Sequence, residues 1–246
     1  MRLRSSGVFE RRSAESIARA IELDIIGRDL PVGAMIGSEA ELMDRFNASR
    51  GVIREAVTLV ESHMLAETRR GVGGGLIVAE PTPSVVEAAV SLYLARKKAS
   101  EADLLETRSA LEVMAMRKTL ARLDDHAVAL LEAETTYTPA PDEHVTMASQ
   151  RFHNLLGRLS GNTVLELLIP TLAALVGEMW DLPRGPMSPR ARAKTWAGVS
   201  AGHNEIIGAM LARRDGLAIA LLEEHLRFVT ESLRDEDRPI QLRQHS

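Results

Sequence analysis

Residues 38–56 read SEAELMDRFNASRGVIREA, and this stretch decides the fold of the N-terminal part of the chain. Ser38 followed by Glu41 is the capping-box pattern that opens a helix, and we predict that this helix runs through Phe46. Residues 47–49 break the helix, and the serine that ends this break can cap a second helix. Two short helices joined by a turn of three or four residues predict a helix-turn-helix.

A helix precedes this pair and a hairpin follows it. Residues 13–27 place isoleucines at helical spacing, and residues 30–33 form a turn behind them. Residues 65–70 alternate in polarity, residues 71–75 are a glycine-rich turn, and residues 76–79 favour β structure. A hairpin directly behind a helix-turn-helix is a wing, so the sequence predicts a winged helix-turn-helix.

The remainder of the chain is helical throughout. We find no convincing strand after residue 84, and prolines and glycines interrupt the helical patterns. The predicted domains are a winged helix-turn-helix at 1–80, a linker at 81–84, an all-helical domain at 85–236 and a tail at 237–246. The fold class is mainly α, with an antiparallel bundle of about seven helices at about 84–96, 101–123, 125–136, 143–160, 163–180, 190–213 and 215–234.

Composition excludes several classes of protein. The 246 residues include no cysteine, which rules out disulfides and thiolate metal sites. No apolar run reaches the ~18 residues of a membrane span, and the basic start lacks the apolar segment of a secretion signal. We therefore expect a cytoplasmic protein that does not bind membranes. Residues 1–80 hold 11 arginines, no lysine and 12 acidic residues, so DNA binding must depend on where the arginines lie.

The helix-turn-helix stretch resembles that of the GntR family of transcription regulators, which reads roughly S-E-x-E-L-A-x-x-F-x-V-S-R-x-x-V-R-E-A. Leu30-Pro-Val-Gly33 and Arg70-Gly71 also match the family's L-x-P-G turn and its wing entry, so the resemblance covers about residues 13–79. It implies a sequence-specific DNA-binding regulator, usually a repressor, that binds a palindromic operator in double-stranded DNA as a homodimer. Ala40 departs from many relatives, which carry arginine at that position.

The candidate DNA contacts lie at the start of the second helix and on the wing. Ser49 and Arg50 can meet phosphate at the helix N-terminus, and Arg54, one turn on, can reach a base edge. The alternative is that both arginines only pair with Glu55 or other surface acids. Arg70 is expected to enter the adjacent minor groove. The full set of predicted DNA-binding residues is Ser38, Ser49, Arg50, Gly51, Val52, Arg54, Arg70 and Gly71.

The first long helix predicted in the helical half contains Arg108-Ser-Ala-Leu-Glu112. This stretch matches the R-x-x-x-E of the ligand-sensing FCD domain of the FadR subfamily, which the helical half resembles. Phe152-His153 and Gly161-Asn162 match the D-x-x-F-H and G-N patterns, and His203 and His225 match single histidines on two later helices. The resemblance implies an effector-binding and dimerisation domain.

In metal-containing relatives an aspartate and three histidines bind one divalent ion. The resemblance therefore implies His153, His203 and His225 as ligands of Zn²⁺ or Ni²⁺. Ser149 stands in place of the aspartate, and this serine or a water would have to fill that position. Alternatively, the histidines hydrogen-bond an organic effector directly, or they are satisfied core residues.

The predicted effector site contains Arg108, Glu112, Ser149 and Asn154. In relatives the equivalent arginine holds an acidic small-molecule effector, and a buried cation is costly unless it is paired. Glu112, one turn on, is the alternative partner of Arg108. If an acidic effector is the partner, Arg108→Ala abolishes the effector response and leaves DNA binding alone. Asn162 is expected to cap the next helix.

Three other functions are weighed. The glycines at 71–75 lack the final glycine of GxGxxG, and no helix follows them, which disfavours nucleotide binding. A metal-dependent hydrolase built on the three histidines would need a general base, and no HExxH motif is present. An architectural DNA-binding protein is a poor explanation of a bundle with inward polar residues. We therefore expect a regulator and not an enzyme.

Overall fold

The computed structural model describes residues 13–71, 73–140, 143–181 and 188–233. The chain divides into two compact units, with the boundary between Val85 and Val86, directly after the predicted linker. The predicted tail at 237–246 and most of the proline-rich loop, residues 182–187, lie outside the described residues. No helix within the described residues is both long enough and apolar enough to cross a membrane.

The N-terminal unit is a winged helix-turn-helix, as predicted. Its elements are α1 (Ala14–Gly27), β1 (Met35–Gly37), α2 (Glu39–Phe46), α3 (Arg50–Ser62), β2 (Ala66–Arg69) and β3 (Gly75–Val78). The predicted hairpin is part of a three-stranded antiparallel sheet of order β1-β3-β2. Strand β1 was not predicted, because three residues are too few to show an alternation and their partner strand lies far along the chain.

Local capping explains where α2 begins and ends. The Ser38 hydroxyl accepts from the Glu41 backbone N–H at 3.3 Å, and the Glu41 carboxylate accepts from the Ser38 N–H at 2.7 Å. Asn47 ends α2 in the left-handed region, with φ 49° and ψ 50°, which asparagine tolerates better than most residues. Ser49 occupies the N-cap position of α3, but its side chain makes no capping hydrogen bond. The leading amides of α3 therefore have no side-chain cap.

A small apolar core holds the three helices of this unit together. Its buried residues include Leu42, Phe46, Ile53, Ala56 and Val60, while Val52 and Leu59 are partly buried and pack against them. Two polar contacts add to the packing of α1. The Glu22 carboxylate contacts His63 Nδ1 at 2.6 Å, and Asp24 contacts Arg45 Nη2 of α2 at 2.9 Å. These contacts join α1 to the end of α3 and to α2.

The C-terminal unit is a helical bundle whose described helices end within three residues of the predicted bounds. They are α4 (Ser84–Lys97), α5 (Glu101–Leu120), α6 (Asp125–Thr135), α7 (Val145–Leu159), α8 (Thr163–Asp181), α9 (Pro189–Leu211) and α10 (Asp215–Leu233). The Asn162 Oδ1 accepts from the N–H groups of Val164 and Leu165, which confirms that Asn162 caps α8. Helix α5 packs against α7, α8 and α10.

The bundle core is mainly apolar, and it also contains a group of buried charged or titratable side chains. Its fully buried members include Met116, Leu131, Phe152, Leu156, Ile206 and Ile207. Arg108, Glu112, His153 and His203 are also buried in this unit. Burial of charged or titratable groups is costly unless they are paired or bind an ion. This polar group is therefore the place to look for function.

Candidate functional site

The leading end of α3 is open to solvent. Ser49, Arg50 and Gly51 are exposed, and nothing lies within 4 Å of where a side chain on Gly51 would begin. Arg54 is exposed one turn further along the same helix. The first turn of α3 has no acidic residue, so its positive dipole end is not compensated locally. This arrangement can receive a phosphate at the helix end and a base edge at Arg54.

Arg50 has a surface partner, although it is not Glu55. Its Nε lies 2.9 Å from the Glu39 carboxylate of α2, and the two side chains are 74% and 45% exposed. Exposed ion pairs of this kind contribute about 0–1 kcal/mol. A DNA phosphate can therefore replace Glu39 at little cost.

The wing and α3 together form a polar groove of about 410 Å³. Arg54 of α3 and Arg70, the residue directly after β2, both line it. The Thr68 N–H of the wing donates to the Glu61 carboxylate of α3 at 2.8 Å, which holds the wing against the helix. Glu61 was missed at the sequence level, because no local pattern marks a contact between a helix end and a strand.

Glycine is required at the turn of the wing. Gly71 and Gly73 have φ values of 102° and 72°, in the left-handed region that favours glycine. The positions of Gly71 and Gly73 in a tight turn between β2 and β3 explain the glycine-rich stretch without a bound nucleotide.

Three histidines meet inside the helical unit. His153 of α7, His203 of α9 and His225 of α10 each offer a ring nitrogen, and these atoms all lie within 4.8 Å of one another. The Nε2 atoms of His203 and His225 are 3.3 Å apart. The sequence resemblance implied these residues as a set, and the fold brings them together.

Glu112 organises this cluster from α5. Its carboxylate contacts Arg108 Nε at 2.6 Å through one oxygen and His153 Nδ1 at 2.5 Å through the other. A carboxylate on Nδ1 fixes the tautomer of the imidazole and leaves Nε2 as the atom with the free lone pair. Arg108 therefore pairs with Glu112, which was the alternative to pairing with an effector, and Glu112 links the arginine to the histidine cluster.

Burial keeps the histidines neutral. It lowers the pKa of His153, and the Glu112 carboxylate offsets this only in part. Burial, together with the neighbouring positive groups, lowers the pKa of His203 well below its ordinary value and lowers the pKa of His225 to about 3. Burial alone would raise the pKa of Glu112, but Arg108 and His153 outweigh it and lower that pKa. Neutral imidazoles are the form that binds metal ions.

A cavity of about 70 Å³ adjoins the cluster. Arg108, His153 and His225 line it, and its other polar lining residues are Thr146, Ser149, Gln150 and Thr195. A site needs roughly 10–15 Å³ of such space for each water, so the cavity has room for a few atoms and not for a long chain. Thr146, Ser149, Gln150 and His153 have the spacing of one helix face, a signal that sequence reasoning could have used for Thr146 and Gln150.

Of the predicted effector residues Ser149 and Asn154, only Ser149 lines the cavity. Ser149 lines the cavity, and its hydroxyl donates to the Thr146 carbonyl at 2.9 Å, so its lone pairs remain able to accept. Asn154 is not among the residues that line the cavity. Its Oδ1 is buried and has no hydrogen-bond partner among the described residues. Asn154 follows His153 by one residue, and neighbouring residues on a helix point about 100° apart.

Two of the three histidines already have the spacing of metal ligands. Tetrahedral Zn²⁺ with Zn–N bonds of about 2.0–2.1 Å requires ligand nitrogens about 3.3 Å apart, which is the separation of the His203 and His225 Nε2 atoms. The three ligand atoms lie within 4.8 Å of one another, so a small approach of His153 would complete a site that could hold a divalent ion. None of the residues that line the cavity carries a carboxylate. Glu112 is committed to Arg108 and His153, and its pairing also leaves it unsuited to act as the general base of a hydrolase.

Comparisons with known proteins agree for both units. Residues 13–75 match the family described as bacterial regulatory proteins, gntR family, and residues 103–228, just over half of the chain, match the FCD domain. An HTH-type transcriptional regulator named RmpR from Mycobacterium gastri is 28% identical over 241 residues, which cover 91% of this chain and 80% of RmpR.

A solved structure agrees in fold. The structure of Streptococcus agalactiae GntR is similar with a TM-score of 0.62 and 22% identity, over 89% of this chain and 99% of that one. The winged helix-turn-helix, the helical bundle and the two family matches lead to one conclusion. The chain belongs to the GntR family of bacterial regulatory proteins, as a member with an FCD domain, and is a DNA-binding transcription regulator with an effector-binding domain and not an enzyme.

Proposed function

We propose that this regulator is a cytoplasmic repressor that binds a palindromic operator as a homodimer and is controlled by a small acidic effector held at a metal ion. His153, His203 and His225 would hold the ion. The observation that carries the proposal is a cluster of three imidazoles, two buried and one half-buried, beside a small cavity whose lining has one arginine, Arg108, and no carboxylate. Such a site attracts a divalent ion and then an anion.

The DNA-binding step follows from the exposed end of α3. Ser49, Arg50 and Gly51 contact phosphate there, and Arg54 reads a base edge while Arg70 reaches the minor groove from the wing. Ser38 and Gly71 support these contacts indirectly, because Ser38 caps α2 and Gly71 permits the turn of the wing. Val52 lies in the first turn of α3 and packs against the core of the unit. One recognition helix reads only a half-site, so a two-fold dimer matches a palindromic operator.

Arg54→Ala is expected to weaken specific operator binding by roughly 1–3 kcal/mol, because the side chain is exposed on the reading face of α3. Fluorescence anisotropy with a labelled operator fragment measures this, with a scrambled fragment for non-specific binding. Arg158→Ala is the matched control, since Arg158 is an exposed arginine of α7 and lies outside the winged helix-turn-helix. Equal operator affinity of the two variants would contradict the role of Arg54.

The effector step uses the residues around the histidines. A bound divalent ion supplies a Lewis-acid centre that attracts a carboxylate. Glu112 keeps the Nε2 of His153 available for the ion. Arg108 gives only its Nε to Glu112, and the other N–H groups of a guanidinium can donate to an anion in the cavity that it lines. The hydroxyl and amide groups of Ser149 and Gln150 can hydrogen-bond a hydroxyl or keto oxygen.

Cavity size and charge define the effector class. The space of about 70 Å³ suits a carboxylic acid of a few carbons and excludes a fatty acyl chain. Three neutral imidazoles leave both positive charges of the ion uncompensated, and Arg108 adds a third positive charge that Glu112 offsets. The anion that completes the site must therefore come from the effector.

Metal and effector binding are expected to be coupled. We expect a small acid such as lactate or malonate to raise the Zn²⁺ affinity of metal-depleted, untagged protein by about tenfold or more. In the presence of Zn²⁺ the same acid should release operator DNA. Linkage requires that Zn²⁺ raise the affinity for the acid by the same factor. Calorimetric titration measures both affinities, and anisotropy measures the release.

Ser149→Asp tests the same idea from the protein side. An aspartate at this cavity position supplies the missing anionic ligand, so Zn²⁺ binds more tightly without an acid and the coupling to the acid falls. The variant Thr195→Asp also adds a carboxylate to the cavity lining, on α9, and controls for charge alone. Acids that bind and release DNA without any metal would instead mean that the histidines hydrogen-bond the effector directly.

A further inference from the structure

Helix α5 has one face that is exposed along its whole length. The side chains on this face change in character from the start of the helix to its end: two acids, then small or apolar residues, then two bases. In order they are Asp103, Glu106, Thr107, Ala110, Met114, Arg117, Lys118 and, at the C-cap, Ala121. The opposite face of α5 packs against α7, α8 and α10.

A groove lies beside the middle of this face. It has a volume of about 370 Å³ and is lined by Ser109, Ala110 and Val113 of α5 and by Glu223, Leu226 and Arg227 of α10. Met114 lies one turn after Ala110 on the same face and is 47% exposed. A protruding methionine and an apolar groove thus lie one helical turn apart.

We propose that this α5 face is the surface on which a second copy of the chain binds, with the two α5 helices antiparallel about a two-fold axis. The proposal deepens the dimer of the proposed function and depends on it. An axis at the level of Glu112 places Met114 of each copy opposite Ala110 of the other. A two-fold interface repeats each contact, so a protrusion and a groove on one face serve both copies.

The charges on the face agree with this antiparallel arrangement. The same axis sets Glu106 opposite Lys118, and it brings the acidic start of each helix alongside the basic end of the other. A parallel arrangement would instead bring like charges together. The helix dipole alone favours acids at the start and bases at the end, but it does not favour an exposed methionine beside an apolar groove. Ser109 and Ala110 are small, which lets two helices approach closely.

The test is the oligomeric state of the full chain by sedimentation equilibrium. We expect the wild-type chain to be a dimer, and we expect Met114→Glu and Glu106→Lys each to raise the dissociation constant at least tenfold. The double variant Glu106→Lys, Lys118→Glu restores the charge pairing and should return the constant to near the wild-type value. Met147→Glu is the matched control, since Met147 is 61% exposed on α7. Circular dichroism checks that each variant is folded.

Cysteine cross-linking gives a second measurement that does not depend on weakening the dimer. The chain contains no cysteine, so Ala110→Cys and Met114→Cys can be mixed as singly substituted proteins. We expect a disulfide between the two, and none when Ala110→Cys is mixed with Met147→Cys. A wild-type dimer that is unaffected by the α5 substitutions would overturn this interface and leave the dimeric regulator intact. A monomeric wild-type chain that still binds its operator would overturn both.

Discussion

Arg108→Ala should lower the free energy of unfolding of the helical domain by about 3–5 kcal/mol, the range for removing one partner of a buried ion pair. Glu112 is fully buried, and Arg108 Nε is 2.6 Å from its carboxylate. Loss of the guanidinium leaves a buried carboxylate whose remaining partner is His153. The expectation that this substitution affects only the effector response is therefore too simple, because it also removes a structural partner.

Tryptophan fluorescence during urea unfolding measures this loss in the free energy of unfolding, and it reports on the helical domain. The chain has two tryptophans, Trp180 and Trp196, and both belong to the helical half. The signal therefore reports on that domain, which avoids treating a two-domain chain as a single two-state transition. The double variant Arg108→Met, Glu112→Leu removes both charges and should be less destabilised than Arg108→Ala. Arg158→Ala on the exposed surface should change stability by less than about 0.5 kcal/mol.

An unchanged stability of Arg108→Ala would mean that Glu112 is not ionised in the folded domain. Arg108 is the first of the groups that hold the pKa of Glu112 below its ordinary value against the effect of burial. The same substitution should therefore raise the pKa of Glu112. The stability difference between the variant and the wild-type chain should therefore be smaller at pH 5 than at pH 8, since protonation of the carboxylate relieves the cost of the buried charge. The wild-type chain at each pH corrects for the buried histidines, whose lowered pKa values destabilise the folded domain as the pH falls.

His203→Ala should raise the dissociation constant for Zn²⁺ by more than about a hundredfold. Losing a partner outside the ligand shell already costs roughly 10–100-fold in metal affinity, and His203 is one of three proposed ligands. Its Nε2 lies 3.3 Å from that of His225, the separation that a shared tetrahedral ion requires. Glu112→Gln, which weakens the orientation of His153, should fall within the smaller range.

Calorimetric titration and thermal unfolding of metal-depleted protein measure the effect. An ion at a concentration of a hundred times its dissociation constant stabilises the folded protein by about 2.7 kcal/mol. Addition of Zn²⁺ or Ni²⁺ should therefore raise the unfolding temperature of the wild-type chain but not that of His203→Ala. His126→Ala is the control, because His126 is an exposed histidine at the start of α6. The comparison between metal-free and loaded forms of each variant removes any loss of packing from the substitution. If the wild-type chain binds neither ion and neither ion raises its unfolding temperature, the proposed metal site is wrong.

The elements of the fold could be predicted because their signals are local. The Ser38 capping box, the break at Asn47 and the asparagine cap of α8 all operate within four residues, and each is present in the structure. Apolar spacing similarly determined the helices of the bundle. Strand β1 escaped prediction because its hydrogen-bonding partner, β3, lies about forty residues away.

The residues of the two candidate sites could be predicted only where they too depend on local signals. The exposed start of α3 follows from the helix boundaries, so Arg50 and Arg54 could be named from the sequence. The partner of Arg50 could not, since Glu39 approaches it across the turn from another helix. The resemblance named the three histidines, but not that Asn154 lies away from the cavity or that Gln150 and Thr195 line it.

The sequence by itself determined which segments are helices, where the recognition helix begins, and which residue types are available to bind a metal. Only the tertiary structure decided that Glu112 joins Arg108 to His153, and that helices α7, α9 and α10 bring three imidazoles within 4.8 Å. Helix capping and periodicity act between residues close in the chain. The charge state and spacing of buried groups depend instead on which distant helices exclude water around them.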